Sequence, residues 1–417
     1  MQTKIQNILK RLLQLHPKSI DLSLDRIKRL LKDLNNPENK MQNAIQVVGT
    51  NGKHSVCSTL REIFETAGYS VNMNISPSLK KFNERYYLLG EYISDEELYE
   101  LLTKVEKINK NQNITFHEFI CACFFLAASR KKSDVTILES GLFFRLDASN
   151  VLKQNIASIV TPIGMDHKDF LKKGTIDEIV YEKCSHLLEG SKIIISQQKE
   201  EVLKNIRENI SKNSSIKFIF GEDYKYTKTN NGFIFKDKKG EINLPYPNLL
   251  GDFQISNVCT AISAVRNLDQ FKIKETHIKE AITKIRSEGR LQFIKEGKLR
   301  KYVNNRNEIL IDGAHNTLAA KAIEKYLKSL NSGRKIIMLL GMMSNKEHKE
   351  FIQIFKNKVE SIIALDIPNQ VNFIKKEKLS KIAESCGIKS TTEKSIKSAL
   401  KNASKENDNA IIFCTGS

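Results

Sequence analysis

AIQVVGTNGKHSVCSTLREIFETAG, residues 44–68, joins an apolar strand, a turn with two glycines, a lysine and a serine, and an amphipathic helix. A short β-branched run ending at glycine reads as a buried strand. Behind it, Val56, Leu60, Ile63, Phe64 and Ala67 fall on one helical stripe that stops at Gly68. The turn itself, Gly49, Thr50, Asn51 and Gly52, offers backbone amides at the positive end of the following helix, the arrangement that holds an anion. Lys53 supplies a mobile positive charge and Ser55 a hydroxyl suited to magnesium. An ordinary strand-turn-helix connection with an incidental lysine is the bland alternative. Strand, glycines, lysine, serine and helix occurring together in that order favour a phosphate loop.

Outward from this stretch the same rhythm continues. YSVNMNIS resumes as a strand, and DVTILES (134–140), ASIVTPIG (157–164) and KIIISQ (192–197) are further β-branched runs, separated by helical patterns. This alternation predicts an α/β sheet with parallel strands. From about 216 to 245 the short runs KFIFG, YKYTK and GFIFKD, with an NNG turn at 230–232, predict a small β insertion. A helical stretch from Ser256 through Arg286 follows. The α/β rhythm then restarts at EILIDGAH (308–315), KIIMLLG (335–341), SIIALDI (361–367) and AIIFCTG (410–416). The expected organisation is an N-terminal nucleotide-binding domain over 1–287 carrying the β insertion, and a smaller Rossmann-like α/β domain over 288–417. MQTKIQNILKRLLQLHPKS at the start reads as an amphipathic helix with Ile5, Ile8, Leu12 and Leu13 on one side and no cleavage site for export.

Composition excludes several classes. In 417 residues, the longest apolar runs, FICACFFLAA and KIIMLLGMM, are too short to span a bilayer. Seven cysteines lie scattered without zinc-site or disulfide spacing, which reads as reduced, buried thiols in a cytoplasmic protein. A formal charge of +19 raises nucleic-acid binding. The lysines are spread along the whole chain without a basic tail or aromatic-interleaved patch, so no nucleic-acid role is expected, and the positive field suits small anionic substrates instead.

GTNGK followed by Ser or Thr two positions later is similar to the loop of the Mur ligases and folylpolyglutamate synthases. The landmarks behind it resemble the folylpolyglutamate synthase and dihydrofolate synthase branch over nearly the whole chain. SPSLKKFNERYYLLGEYIS (76–94) resembles the family's SPHL segment and its NER, and TFHEFICACFFLAA (115–128) its helix beginning T-x-F-E. ILESGLFFRLDASN (137–150) resembles the motif in which an acidic residue precedes GLGGRLDATN. PIGMDHKDFL (162–171) is similar to G-x-DH, EKCSHL (182–187) to EKAGI, GDFQISN (251–257) to GRHQ followed by Asn, and GRLQ (289–292) to GRLE. DGAHN (312–316) is intact.

The resemblance implies an ATP-dependent ligase that adds L-glutamate to dihydropteroate or a reduced folate through an acyl phosphate. Lys53 is the implied phosphate ligand, and Ser55, Glu139 and His167 implied magnesium ligands. Lys183 occupies the position whose lysine is carbamylated in the family to help hold a second magnesium. Gln254, Asn257, Arg290, Asp312 and His315 are implied nucleotide contacts, the last three from the C-terminal domain across a cleft. Ser76, Pro77, Arg85, Arg145 and Asp147 are implied to border the folate-type substrate. Lys53, His167 and Lys183 form the implied catalytic set, and the family implies a monomer.

This sequence departs from the family pattern at His54, where a small residue is usual, and at Phe143 and Phe144, where two glycines are usual. Ser78, Asp252, Gln292 and the NKEH segment (345–348) depart as well. The alternative readings are therefore a degenerate ligase-like nucleotide-binding protein, or a Mur-type ligase with a different acceptor. The chain ends at CTGS, where the family continues into a short final segment.

Overall fold

The fold is described from a computed structural model covering every residue except Ser19, Asn331 and Ser332. Ser19, the last residue of the segment read above as an N-terminal helix, lies outside the described residues. The chain packs as two units, and each draws on separated stretches of sequence. The first comprises 1–163, 175–248 and 254–286; the second comprises 164–174, 249–253 and 287–417.

The first unit is built on eight strands: β1 (Ala44–Val48), β2 (Val71–Asn74), β3 (Tyr86–Leu88), β4 (Glu91–Tyr92), β5 (Val135–Glu139), β6 (Ala157–Val160), β7 (Lys192–Ile195) and β8 (Ile216–Ile219). They are ordered β4-β3-β2-β5-β1-β6-β7-β8. Neighbours from β2 to β8 run parallel, and β3 and β4 continue the sheet as an antiparallel edge. Strands β1, β2, β5, β6 and β7 are buried along almost their whole length because both faces are covered, as parallel strands require. Register matters for function: Val47 of β1 faces Glu139 of β5, and Val48 faces Val160 of β6. The residues that follow β1, β5 and β6 therefore emerge at one edge of the sheet, the carboxyl edge where ligands gather in open α/β sheets.

The helix Lys53–Thr66 buries Val56, Leu60, Ile63 and Phe64, and Gly68 turns the chain with φ +87°. The helix Phe116–Arg130 is buried along most of its length. It begins with a capping box: the Thr115 amide donates to Glu118 Oε2 at 2.8 Å, and the Glu118 amide donates to Thr115 Oγ1 at 3.3 Å.

A three-stranded antiparallel sheet follows, β9 (Tyr224–Thr229), β10 (Gly232–Asp237) and β11 (Gly240–Pro245). The hairpin expected at Asn230–Asn231 joins β9 to β10. Three local expectations are corrected. KFIFG forms β8 and pairs with β7 in the main sheet instead of the insertion, because its apolar residues find a free parallel edge there. The stretch from Ser256 to Arg286 is two helices, Asp252–Arg266 and Glu275–Lys284. In the first helix, Gln2–Leu12, Ile5, Ile8 and Leu12 are buried, but Leu13 is 58 % exposed, since adjacent residues on a helix point about 100° apart.

The second unit holds β12 (Gln292–Ile294), β13 (Glu308–Ile311), β14 (Lys335–Gly341), β15 (Ser361–Ala364), β16 (Lys389–Thr392) and β17 (Ala410–Gly416). Their order is β12-β13-β17-β14-β15-β16, all parallel except β12. Alternation sends Leu310, Met338 and Phe413 to one core and Ile309, Ile337 and Ile412 to another, so both sheet faces are packed.

Candidate active site

The loop after β1 is held by its own surroundings. The amides of Thr50 and Asn51 donate to the Pro162 carbonyl at 3.0 and 3.2 Å, so these two amides fix the loop to the segment after β6. Gly52 has φ +85°, and a Cβ there would stand 2.5 Å from Asn257 Oδ1. A Cβ on Gly49 would stand 2.0 Å from Thr161 Oγ1. Only glycine allows both approaches. The helix starts at Lys53, its first turn of amides facing outward by helix geometry, and its first internal bond runs from the Val56 amide to the Gly52 carbonyl. Lys53 Nζ folds back on the carbonyls of Gly49 and Thr50 at 3.2 and 3.3 Å. Ser55 is buried, and His54 beside it is half-buried on the same first turn.

Asn257 donates to Gln254 Oε1 at 2.9 Å, and both are buried in the helix that lies against Gly52. Glu139, at the end of β5, accepts from the Ser76 amide at 2.9 Å, which ties the Ser76–Pro77 segment to this carboxylate. The Ser76–Pro77 peptide is cis. Lys183, from the helix Ile176–Cys184, donates to the carbonyls of Gly49 at 2.9 Å and Leu142 at 2.7 Å. Two lysine ammoniums thus converge on the single Gly49 carbonyl.

Arg85 lies with its guanidinium over the Phe82 ring at 5.2 Å, and its Nε is buried without a hydrogen-bond partner. Burial lowers its pKa from the ordinary arginine value, against the opposing influence of Tyr86, Cys121 and Glu139. Arg145 is engaged by Glu182, donating from Nη2 at 2.7 Å and from Nε at 3.1 Å. Asp147 is 4 % exposed and its carboxylate is crowded with donors. Oδ2 accepts from the amides of Gly141 and Leu142, and Oδ1 from the amide and hydroxyl of Ser149. His117 Nε2 stands 3.5 Å from Oδ2. Burial pushes the Asp147 carboxyl up, but His117 and Ser149 outweigh it and hold it at about 2. Burial alone would lower the His117 pKa; Cys121 and Asp147 raise it well above the ordinary value instead.

The second unit carries His167, Arg290, Asp312 and His315. Asp312 accepts from the Leu291 amide at 2.8 Å; burial raises its pKa, with Arg290 opposing. His315 Nδ1 lies 2.9 Å from the Gly313 carbonyl, and its Nε2 lies 3.4 Å from Asp166. Asp166 also accepts from Lys346 Nζ at 2.6 Å and from Asn316 Nδ2 at 3.0 Å, with His167 Nε2 at 3.8 Å.

Sequence reasoning missed His117, Glu182, Asp166 and Lys346. Asp166 and Glu182 lay inside quoted motifs next to the residues that were singled out. His117 had one signal, a polar residue in the otherwise apolar helix and four residues before Cys121. Among the described residues, no group of three or more His, Cys, Asp and Glu is placed to hold a metal. No helix there is long and apolar enough to cross a membrane.

The Mur ligase middle domain matches residues 47–265, and the Mur ligase glutamate ligase domain matches residues 289–417. The dihydrofolate synthase/folylpolyglutamate synthase of Haemophilus influenzae is 30% identical over 344 residues, 80% of this chain and 76% of that protein. The protein of the same name from Bacillus subtilis is 29% identical over 347 residues, 79% of this chain and 77% of that protein. Escherichia coli FolC in complex with DHPP and ADP superposes with a TM-score of 0.87 at 24% identity, covering 99% of this chain and 94% of that one. The Yersinia pestis bifunctional folylpolyglutamate synthase/dihydrofolate synthase complexed with AMPPNP and Mn gives 0.86 at 22% identity, covering 99% and 95%. The two structures share the fold, and the two relatives share sequence over most of their length. The chain belongs to the dihydrofolate synthase/folylpolyglutamate synthase family of Mur ligases.

Proposed function

We propose that this chain joins L-glutamate to the carboxylate of dihydropteroate, of a reduced folate, or of both, at the expense of ATP. As a member of its family it is an ATP-dependent acid–amino-acid ligase. The observation that carries the reading is the loop from Gly49 to Ser55, with Lys53 in it, Lys183 bonded to its Gly49 carbonyl and the carboxylate of Glu139 emerging beside it. In the reaction, a carboxylate oxygen of the acceptor attacks the γ-phosphorus and ADP leaves. The glutamate amine then attacks the acyl carbon, and phosphate departs as the amide forms. Phosphoryl transfer of this kind depends on positioning and charge neutralisation.

Lys53 and the first turn of its helix hold the phosphates. Ser55 and Glu139 would supply hard oxygens for a magnesium ion, a donor chemistry that suits magnesium. When bound, the ion neutralises charge that develops on the transferring phosphate. Gln254 and Asn257 hold the loop's far side, and Arg290, Asp312 and His315 are further nucleotide contacts in this reading. The resemblance implies a second magnesium on His167 and a carbamylated Lys183. Lys183 is buried, and its Nζ donates to the carbonyls of Gly49 and Leu142, which places it against the phosphate loop. Arg85, with its buried unpartnered Nε, is the cation we assign to the acceptor, alongside Ser76 and Pro77. Arg145 and Asp147, assigned to the same substrate, are held in the segment after β5, Arg145 by Glu182 and Asp147 by the amides of Gly141 and Leu142. The chain acts as a monomer in the cytoplasm in this reading; seven buried free thiols suit a reducing compartment.

The departures favour an active enzyme over a degenerate one: Phe143 and Phe144 are buried in the unit's interior, and the loop keeps its glycine geometry beside His54. Glutamate-dependent ADP release, measured with dihydropteroate, with tetrahydrofolate and without acceptor, tests the proposal. Turnover with one or both acceptors and none without is the expected result. Retained ATP binding with no turnover on either acceptor would sink it in favour of a binding protein or a ligase with another acceptor.

A further inference from the structure

We infer that Glu84 is a positioning residue for the acceptor: its carboxylate fixes the loop 76–81 in the form that receives the acceptor beside Arg85. The inference rests on the reading of Ser76, Pro77 and Arg85 as acceptor contacts. The Leu79 amide donates to Glu84 Oε2 at 2.7 Å, the Lys80 amide to both carboxylate oxygens at 3.1 Å, and the Lys81 amide to Oε1 at 3.0 Å. Three consecutive amides thus close on one carboxylate. Successive backbone amides turned to one side form a concavity for an anion, and here the chain supplies that anion itself. Hydrogen bonds to an ionised acceptor are stronger than neutral ones.

Apolar packing does not shape this loop: none of residues 76–81 is buried, and Leu79 is 58 % exposed. Two carboxylates hold its backbone instead. Glu139 takes the Ser76 amide at the start, at 2.9 Å, and Glu84 takes the three amides at the end. A loop released from such bonds samples many backbone forms, and a ligand that needs one of them binds in proportion to its population.

Three consecutive residues, Asn83, Glu84 and Arg85, divide the work. Asn83 is buried and donates from Nδ2 to the Ile93 carbonyl at 2.8 Å and to Asp95 Oδ1 at 3.0 Å, which anchors the short helix Phe82–Arg85. The Arg85 carbonyl accepts from the Ile75 amide at 3.2 Å and from Asn74 Nδ2 at 3.0 Å, so the two ends of the loop meet beside β2. From this anchored base Glu84 reaches back to the loop. The Arg85 guanidinium, with Nε buried and unpartnered, is left to a ligand. With its carboxylate engaged by amides, Glu84 does not neutralise the cation next to it in sequence.

Hydrogen exchange and steady-state kinetics on the full chain test the inference. In the wild type the amides of Leu79, Lys80 and Lys81 are expected to exchange more slowly than in an unstructured peptide. In Glu84→Ala they are expected to lose that protection while the amides of β1 and β5 keep theirs. With whichever acceptor the wild type turns over, dihydropteroate or tetrahydrofolate, Glu84→Ala is expected to raise the acceptor KM about tenfold, as for a loop competent about a tenth of the time. KM for ATP and Tm are expected to stay in place. Glu84→Gln, which keeps one accepting oxygen, is expected to fall between the two. A glutamate with a merely structural role would lower Tm or raise both KM values together, and either result overturns the inference. So do unprotected amides at 79–81 in the wild type, a measurement that stands whether or not the variants fold. Arg85→Gln separates the failures. If it raises the acceptor KM and Glu84→Ala does not, this inference alone fails. If neither variant changes the acceptor KM, or the wild type turns over neither acceptor, the acceptor reading falls with it.

Discussion

Lys53 sits on the carbonyls of its own loop, a position from which its ammonium swings to a phosphate without disturbing the fold. Lys53→Ala is therefore expected to lower glutamate-dependent ADP release on the order of a hundredfold or more, with unfolding midpoints unchanged. An unchanged rate would remove the nucleotide-site assignment. Arg85 differs: its guanidinium is largely buried and its Nε has no partner in the protein, a costly state that a ligand carboxylate relieves. Arg85→Gln is expected to raise KM for the acceptor about tenfold while KM for ATP stays put, since a hydrogen bond to a charged group contributes ~1.5–3 kcal/mol. Equal changes in both constants would argue against it.

The His117–Asp147 pair makes a pH-dependent prediction. The His117 pKa is raised in the folded chain, so its contribution to stability is full below the ordinary histidine value and is lost as pH rises through the raised one. The carboxyl of Asp147 is held at about 2, so its contribution is present above the ordinary aspartate range and fades as pH falls toward that value. The Tm difference between the wild-type chain and His117→Gln is expected to be widest near pH 5 to 6 and to close at alkaline pH. A difference that is flat or grows with pH would contradict the pairing.

At the scale of elements, the strand-loop-helix unit depends on glycine where the chain passes its neighbours most closely. Gly52→Ala places a methyl group 2.5 Å from Asn257 Oδ1 at a φ of +85°. Nucleotide affinity, read by calorimetry, is expected to fall, and Asn257→Ala in the same chain to restore it only in part, because the second change removes the clash and not the backbone strain. Full restoration would mean that sterics alone were at issue. This element was legible in the sequence because a phosphate loop is a local object: periodicity, glycine spacing and a lysine define it within a few residues. Strand β8 was harder to read. Its four residues carry no mark to distinguish an edge strand of the main sheet from part of a hairpin, and the choice is made by which sheet edge is open beside β7.

At the scale of the whole molecule, the chain passes between its two units several times. Segment 164–174, flanked on both sides by the first unit, packs in the second. Asp166 in that segment accepts from Lys346, and the two side chains keep only 7% and 10% of their exposure. Asp166→Ala leaves the Lys346 ammonium without its carboxylate and is expected to cost ~3–5 kcal/mol in the second unit. Hydrogen exchange is the measurement: amides of 164–174 and of the helix Thr317–Ser329 should exchange faster, while those of β1 and β5 keep their protection. A uniform loss across both units would show that the pair is not local to the second.

By itself the sequence determined the classes of both units, the phosphate loop and the direction of the chemistry, because each is written in residues close along the chain. Only the tertiary structure decided what the charged groups do. Asp166 and Lys346 are 180 residues apart, Gly49 and Lys183 134 apart, and no local pattern announces either contact. Asp147 looks in sequence like a free carboxylate, yet the fold surrounds it with donors from residues 141, 142 and 149 and with His117. The reason is physical: helical and strand periodicity follow from backbone geometry over a few residues, whereas the state of a buried charge depends on every group that folding brings within hydrogen-bond reach.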